Sequence, residues 1–431
     1  MKNFIFAVIA LLMVACSQEQ IILPEPEVIS PETRSTHIPL SEALKVADRM
    51  IRAVEPEGTR ASARTVESIE YYGGSATRSG EEEPMFYVVN YANDGGFAVL
   101  GADTRVDSIY AFSDEGHLDM NDTTFNEGLN IFFESLALEN TYQQGNQMDT
   151  TIHQFQPIGE IITDVSYRHG PFLTPAVRKW HQSAPYNTFC PLIPVIHREN
   201  TLSSNFYIVM TPSIVGCANI AMGQIMSFYE CPKVYGTHVF NWEEMKSWLP
   251  EQKTYFPVEY YPAPEHGVAR LLREIGTEGN MKTEYGVNSS STNTKKYYKR
   301  TFKTFEYKEP GDFKTFSTET LSSYIERNKP VLVRGNYDNG DGHVWVIDGL
   351  YCDRFRYTNN LGALSYSGQG TFFHVVWGWG GACNGYFKHG SGFTQHSEDF
   401  RDENDPSNWE DDWNDHVKIY KLEFCGDISP R

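Results

Sequence analysis

Thr211 to Met226 reads TPSIVGCANIAMGQIM, and the glycine–cysteine pair inside it decides how the rest of the chain is read. From Ala218 the apolar residues Ala218, Ala221, Ile225 and Phe228 recur at three and four positions, the spacing of one helix face, so an amphipathic helix is expected there. Cys217 then stands at the helix N-terminus, where unpaired N–H groups and the positive end of the helix dipole favour a thiolate over a thiol. A lone cysteine is often just a small buried apolar residue. Cys217 becomes a nucleophile only if a base lies within reach of it in the fold.

Residues 329 to 350, KPVLVRGNYDNGDGHVWVIDGL, offer that base. Val331-Leu332-Val333 and Val344-Trp345-Val346-Ile347 read as two strands joined by a Gly- and Asp-rich turn. His343 opens the second strand beside Gly342, at a strand mouth that can face a cleft. With 13 histidines in the chain, a surface role is the commoner fate of any one of them. A third stretch, TFFHVVWGWGGACNGYF at 371 to 387, places Trp377 and Trp379 around a single glycine, followed by Gly380-Gly381. Glycines permit a tight loop there, and an indole can shield a polar pair from water and strengthen its electrostatics. It is no phosphate loop, because Cys383 takes the place of the third glycine and no helix pattern follows.

These three pieces, in this order, resemble the streptopain family of papain-like cysteine peptidases. The resemblance rests on Gly216-Cys217-Ala218 with Gln224-Ile225-Met226, on Gly342-His343-Val344-Trp345-Val346-Ile347-Asp348-Gly349, and on Trp377-Gly378-Trp379-Gly380-Gly381. Upstream, Thr174-Pro175 and Lys179-Trp180-His181-Gln182-Ser183-Ala184-Pro185-Tyr186-Asn187 resemble the family's oxyanion segment. The resemblance implies an α+β fold, a helical subdomain plus an antiparallel β subdomain, preceded by a small α+β propeptide. It implies Cys217 and His343 as the catalytic pair, Gln182 as the oxyanion donor, and Gly216, Gly342, Trp377 and Trp379 around the cleft. Residues from about 38 to 145 resemble the family's inhibitory propeptide, above all FYVVNY with GGFAVLGAD. One position departs: relatives usually have Asn before the first loop tryptophan, and Val376 stands there, unable to hydrogen-bond through its side chain. If that Asn orients the histidine in relatives, the role falls here to a backbone carbonyl, to Trp377 packing, or to nothing.

Organisation follows from the ends inward. MKNFIFAVIALLMVACSQEQ carries Lys2 and an apolar run from Phe4 to Ala15, too short to span a bilayer and suited to a secretory signal. Met13-Val14-Ala15-Cys16 resembles a bacterial lipobox, which makes Cys16 the expected lipidation site at the end of a signal over 1–16. Two acyl chains would hold the protein to a membrane surface, periplasmic or outer, with release of the mature domain an open alternative. The proline- and acid-containing stretch at 17–38 reads as a tether. An inhibitory propeptide is expected over 39–150, with a helix from Ser41, a flexible polar stretch at 57 to 84, a hairpin around Asn93-Asp94-Gly95-Gly96, and a helix near Asn126 to Leu138. The peptidase domain is expected over 165–431, with the acidic stretch Asp402 to Asp415 as a solvated insertion.

Composition sets the outer limits. At 431 residues two domains are the default, and a formal net charge of −20 argues against a nucleic-acid partner. Setting aside a lipidated Cys16 and a reactive Cys217 leaves an odd number of the seven cysteines, so complete disulfide pairing is impossible, although one or two bridges are open to an exported protein. No Cys/His spacing suits zinc, and neither a metal nor another cofactor is expected. The expected partners are protein or peptide substrates, the chain's own propeptide, and the membrane through the lipid anchor. The leading expectation is an exported cysteine endopeptidase made as a zymogen. A catalytically weak surface lipoprotein that binds protein with the same fold is the alternative that Val376 favours.

Overall fold

The computed structural model describes residues 36–55, 64–76, 82–119, 127–146, 160–198, 206–250, 267–337, 342–358, 364–388 and 420–431. Cys16, most of the tether and the acidic 402–415 stretch lie outside them. In chain order, the first elements are α1 (Leu40–Val54), β1 (Val66–Ala76), β2 (Glu82–Tyr91), β3 (Phe97–Gly101), β4 (Ala111–Ser113), α2 (Glu127–Asn146) and β5 (Glu160–His169). Next come α3 (Pro175–Arg178), β6 (Leu192–Arg198), β7 (Phe206–Pro212), α4 (Cys217–Tyr229), β8 (Val234–Tyr235), β9 (His238–Val239), α5 (Trp242–Ser247), α6 (Gly267–Ile275) and α7 (Thr294–Thr304). The chain closes with β10 (Lys314–Thr315), α8 (Thr318–Glu326), β11 (Val331–Tyr337), β12 (Gly342–Thr358), β13 (Leu364–Val376), β14 (Gly385–Lys388) and β15 (Tyr420–Cys425).

Mixed helices and antiparallel strands make this an α+β protein, as the sequence led one to expect. One 11-stranded sheet runs β1-β2-β3-β4-β14-β13-β12-β11-β15-β10, with β5 added alongside the far half of β12. Strands from the expected propeptide and strands from the expected peptidase region therefore share one sheet, joined where Ala111 and Phe112 of β4 pair with Phe387 and Tyr386 of β14. Residues 36 to 431 form one compact unit around that sheet.

Alternation along β12 and β13 divides the core. Val344, Val346 and Val376 face the helical side and pack in a cluster with Ile220, Met222, Ile225 and Met226 of α4. Trp345, Ile347 and Trp377 face the other way and pack with Leu129, Ile131, Phe132 and Phe133 of α2. A third cluster joins Ala43, Val46, Ala47, Met50 and Ile51 of α1 to the outer face of β2, β3 and β4.

Two local expectations change. The polar stretch at 57–84 holds a strand, β1, whose residues pair with β2 from Val66↔Tyr91 to Ala76↔Glu82. Its Gly, Ser and Glu content hides it, since the pairing comes from the partner strand and from Tyr72 stacking on Phe86 at 4.6 Å. The second is α4, which is buried on every side from Ala218 to Ser227 rather than along one face. Its polar members are held by hydrogen bonds through their amide nitrogens: Asn219 Nδ2 donates to the Val215 carbonyl at 2.8 Å and Gln224 Nε2 to the Val177 carbonyl at 3.1 Å. Fully burying a Met or Ile side chain such as Met222 or Ile225 is worth about 1.5–3 kcal/mol, so α4 is a rigid central post. The six cysteines of the described residues make no disulfide.

Candidate active site

Helix α4 begins at Cys217, and Gly216 caps it at φ 92°, a left-handed conformation that glycine adopts without a Cβ penalty. A Cβ there would also press on the Ser290 carbonyl oxygen at 3.2 Å. The helix start thus needs glycine twice over, and Cys217 emerges at its first position, partly exposed. The cleft it faces has a volume of about 850 Å³ and is lined by Gln182, Gly216, Cys217, Gly342, His343 and Trp379 among others. Six of the seven residues assigned to the catalytic apparatus from sequence therefore meet in one place. Trp377 does not line the cleft and lies behind it, fully buried.

His343 is held from three directions. Its Nε2 is 2.9 Å from the Trp377 carbonyl oxygen. A carbonyl only accepts, so Nε2 carries the proton and Nδ1 keeps its lone pair. Trp345 stacks on the imidazole at 6.1 Å and Trp377 lies tilted beside it at 6.4 Å. The third direction is α2: a Cβ on Gly128 would fall 2.5 Å from the Trp377 ring and 2.9 Å from His343 Cδ2. Only glycine lets this helix approach so closely, and it leaves His343 buried. Burial, against a smaller opposing effect of the Trp377 hydrogen bond, lowers the His343 pKa to about 4. In the full chain the imidazole is thus neutral near pH 7.

Val376 has no role facing the histidine. It is fully buried on the helical side, paired across the sheet with Val346. Of the alternatives for orienting His343, the structure contains both the backbone carbonyl and the packing of Trp377. Next to the cleft, His181 is likewise lowered to about 4 by burial, accepts the Ser183 N–H at 2.8 Å on Nδ1, and meets the Trp379 ring edge-on at 5.6 Å. Gln182 is buried, and its carbonyl accepts the Val215 N–H at 2.9 Å, which fastens the oxyanion segment to the loop leading into Cys217.

The low His343 value has a consequence for stability. Because 4 lies below the ordinary 6.5, the unfolded chain binds a proton first, so stability from the neutral imidazole is present above pH 6.5 and is lost as pH falls towards 4. His181 acts in the same direction, whereas Asp114, raised by burial, acts oppositely over the carboxylate range. The full chain is expected to lose a few degrees of melting temperature between about pH 7 and about pH 5. His343→Gln should flatten that slope, and an equally steep slope in the variant would remove His343 as its source.

Sequence reasoning missed two residues of this site. Gly128 opens α2 within a stretch read only as a helix, and Asn384 sits in Asn384-Gly385, which reads as a turn. No local pattern marks either, since each matters through a partner far away in sequence.

A cysteine heading a buried helix and a histidine on an antiparallel sheet line one cleft, an arrangement that fits the papain-like class of cysteine peptidases. The peptidase C10 family model matches residues 180–387, and the Spi protease inhibitor model matches residues 31–139. The peptidase region of the chain thus matches the peptidase C10, or streptopain, family, with a Spi-type inhibitor region ahead of it. It is 25% identical to streptopain of Streptococcus pyogenes serotype M1 over 369 residues, covering 76% of this chain and 79% of that one. Against the thiol protease/hemagglutinin PrtT of Porphyromonas gingivalis it is 26% identical over 345 residues, 71% of this chain and 34% of that one. A solved fragment of prointerpain A from Prevotella intermedia aligns at 17% identity, with 83% of this chain and 98% of that chain covered and a TM-score of 0.45.

Proposed function

We propose that the chain is the zymogen of an exported cysteine endopeptidase that acts on proteins, with Cys217 as nucleophile and His343 as its base. The observation that carries this is the single cleft shared by Cys217, His343 and Gln182. Once α2 no longer presses on His343, Nδ1 takes the Cys217 thiol proton, and the thiolate attacks the peptide carbonyl carbon. The oxyanion accepts hydrogen bonds from the Gln182 amide and the Cys217 backbone N–H, each such donor being worth about 3–4 kcal/mol in the transition state. The C–N bond then breaks as Nδ1–H protonates the leaving amine. Water, deprotonated by His343, cleaves the thioester and restores the thiol.

Domain limits near 39–150 for the propeptide and 165–431 for the peptidase fit this reading, as does anchoring through an acylated Cys16. The proposed anchor is Cys16; among the described residues no helix is long and apolar enough to cross a membrane. A mass spectrum of the membrane-extracted N-terminal peptide tests that part. Casein hydrolysis with and without a thiol alkylator tests the activity. Hydrolysis that the alkylator stops supports a cysteine peptidase, and binding without hydrolysis under all processing conditions would favour the inactive alternative.

A further inference from the structure

We propose that Asn384 is the positioning residue of this site: it sets the Trp377 carbonyl that orients His343 and ties that carbonyl to the oxyanion segment. The inference rests on the assignment of His343 as the base. Strand β13 ends at Val376, so the Trp377 N–H lies past the last rung of the sheet and needs a partner of its own. Asn384 Oδ1 accepts it at 3.1 Å, and Asn384 Nδ2 donates to the Arg178 carbonyl at 3.0 Å. The amide orientation is forced, because a backbone N–H only donates and a carbonyl only accepts. Asn384 is itself buried, so neither bond has water as a ready substitute.

The consequence is a continuous connection between the two halves of the apparatus. Trp377 is fixed at its N–H by Asn384 and at its indole N–H by the Cys383 carbonyl at 3.0 Å, which leaves its own carbonyl aimed at His343 Nε2. On the other side, Arg178 closes α3, and Trp180 accepts the Gly380 N–H at 3.1 Å, two residues before Gln182. One short amide thus joins the segment that carries the oxyanion donor to Trp377, whose carbonyl, in the next peptide unit along, selects the histidine tautomer. Asp could supply only the acceptor and Leu neither group, while Gln is a methylene too long for a site this closed.

The test uses the full chain carrying Cys217→Ala, which keeps it intact, with 15N-labelled histidine and His343→Ala to assign the His343 signals. In the parent, His343 should show the tautomer protonated on Nε2 alone, with that proton in slow exchange. Asn384→Leu and Asn384→Ala should each add the Nδ1-protonated tautomer and speed exchange of the Nε2 proton about tenfold or more, since a looser Trp377 carbonyl no longer selects one form. With Cys217 restored, the same variants should lose about 10- to 100-fold in kcat while KM stays within about twofold. The smaller alanine carries the comparison if leucine prevents folding. A parental tautomer and exchange rate in the folded variants would overturn the inference, as would a loss confined to KM. Should Cys217→Ala itself hydrolyse protein, the nucleophile assignment falls, whereas the tautomer comparison still decides whether Asn384 governs His343.

Discussion

Cys217→Ala is expected to abolish peptide hydrolysis, by at least about 10⁴-fold, while the protein melts within a few degrees of the parent. The loss is large because the remaining oxyanion donors and binding contacts have no covalent step to assist. The fold should tolerate the change because Cys217 is partly exposed at the first position of α4, where alanine is a good helix residue and its backbone N–H is unchanged. Alkylation provides a second measure. Burial raises the Cys190 and Cys425 thiols to about 12 and lifts Cys231 as well, so those three are poor competitors near neutral pH. Alkylator that stops hydrolysis should therefore be found on Cys217 by peptide mapping. Undiminished hydrolysis by the alanine variant would remove Cys217 as the nucleophile.

What the sequence made legible was local: a glycine followed by a cysteine at a helix start, a histidine at a strand mouth, and a hairpin whose Asn93, Asp94 and Gly96 adopt the positive φ values their types tolerate. Resemblance added Gln182 and the propeptide. Less visible was everything set by long-range pairing. Strand β1 is composed like a loop and exists because β2 offers it a ladder. Helix α4 looks amphipathic, yet its Asn219, Gln224 and Ser227 are buried because specific carbonyls receive them. Val376 looked like a lost hydrogen bond, and in the fold it is a core residue on the face away from Trp377. The connection from Asn384 through Trp377 to His343 spans residues 343 to 384, with its other end at Arg178, and no periodicity encodes it.

Gly128→Leu is expected to raise the activity of the uncleaved full chain about 10- to 100-fold. Helix formation and helix docking respond to the substitution in opposite ways. Leucine favours the helical state over glycine by roughly 0.8–1 kcal/mol, so α2 should form at least as well. Docking is another matter, because the new Cβ alone would lie 2.5 Å from the Trp377 ring and 2.9 Å from His343, with three more carbons to place beyond it. Overpacking of that kind typically costs about 1–3 kcal/mol, and a shift of about 10- to 100-fold between docked and undocked α2 falls within it. The rest of the propeptide keeps its own holds: β4 on β14, Arg49 on Asp353 at 2.5 and 2.9 Å, Arg178 on Glu115 at 3.3 Å, and an ion pair of Lys388 with Asp107. Loosening should therefore centre on the contact over His343 rather than release the whole segment. Initial rates must be taken while gel mobility shows the chain still at full length, since faster self-processing would mimic the effect. Activity unchanged or lower in intact Gly128→Leu would mean that α2 does not restrain the histidine, and that the sheet and ion-pair contacts carry the inhibition instead.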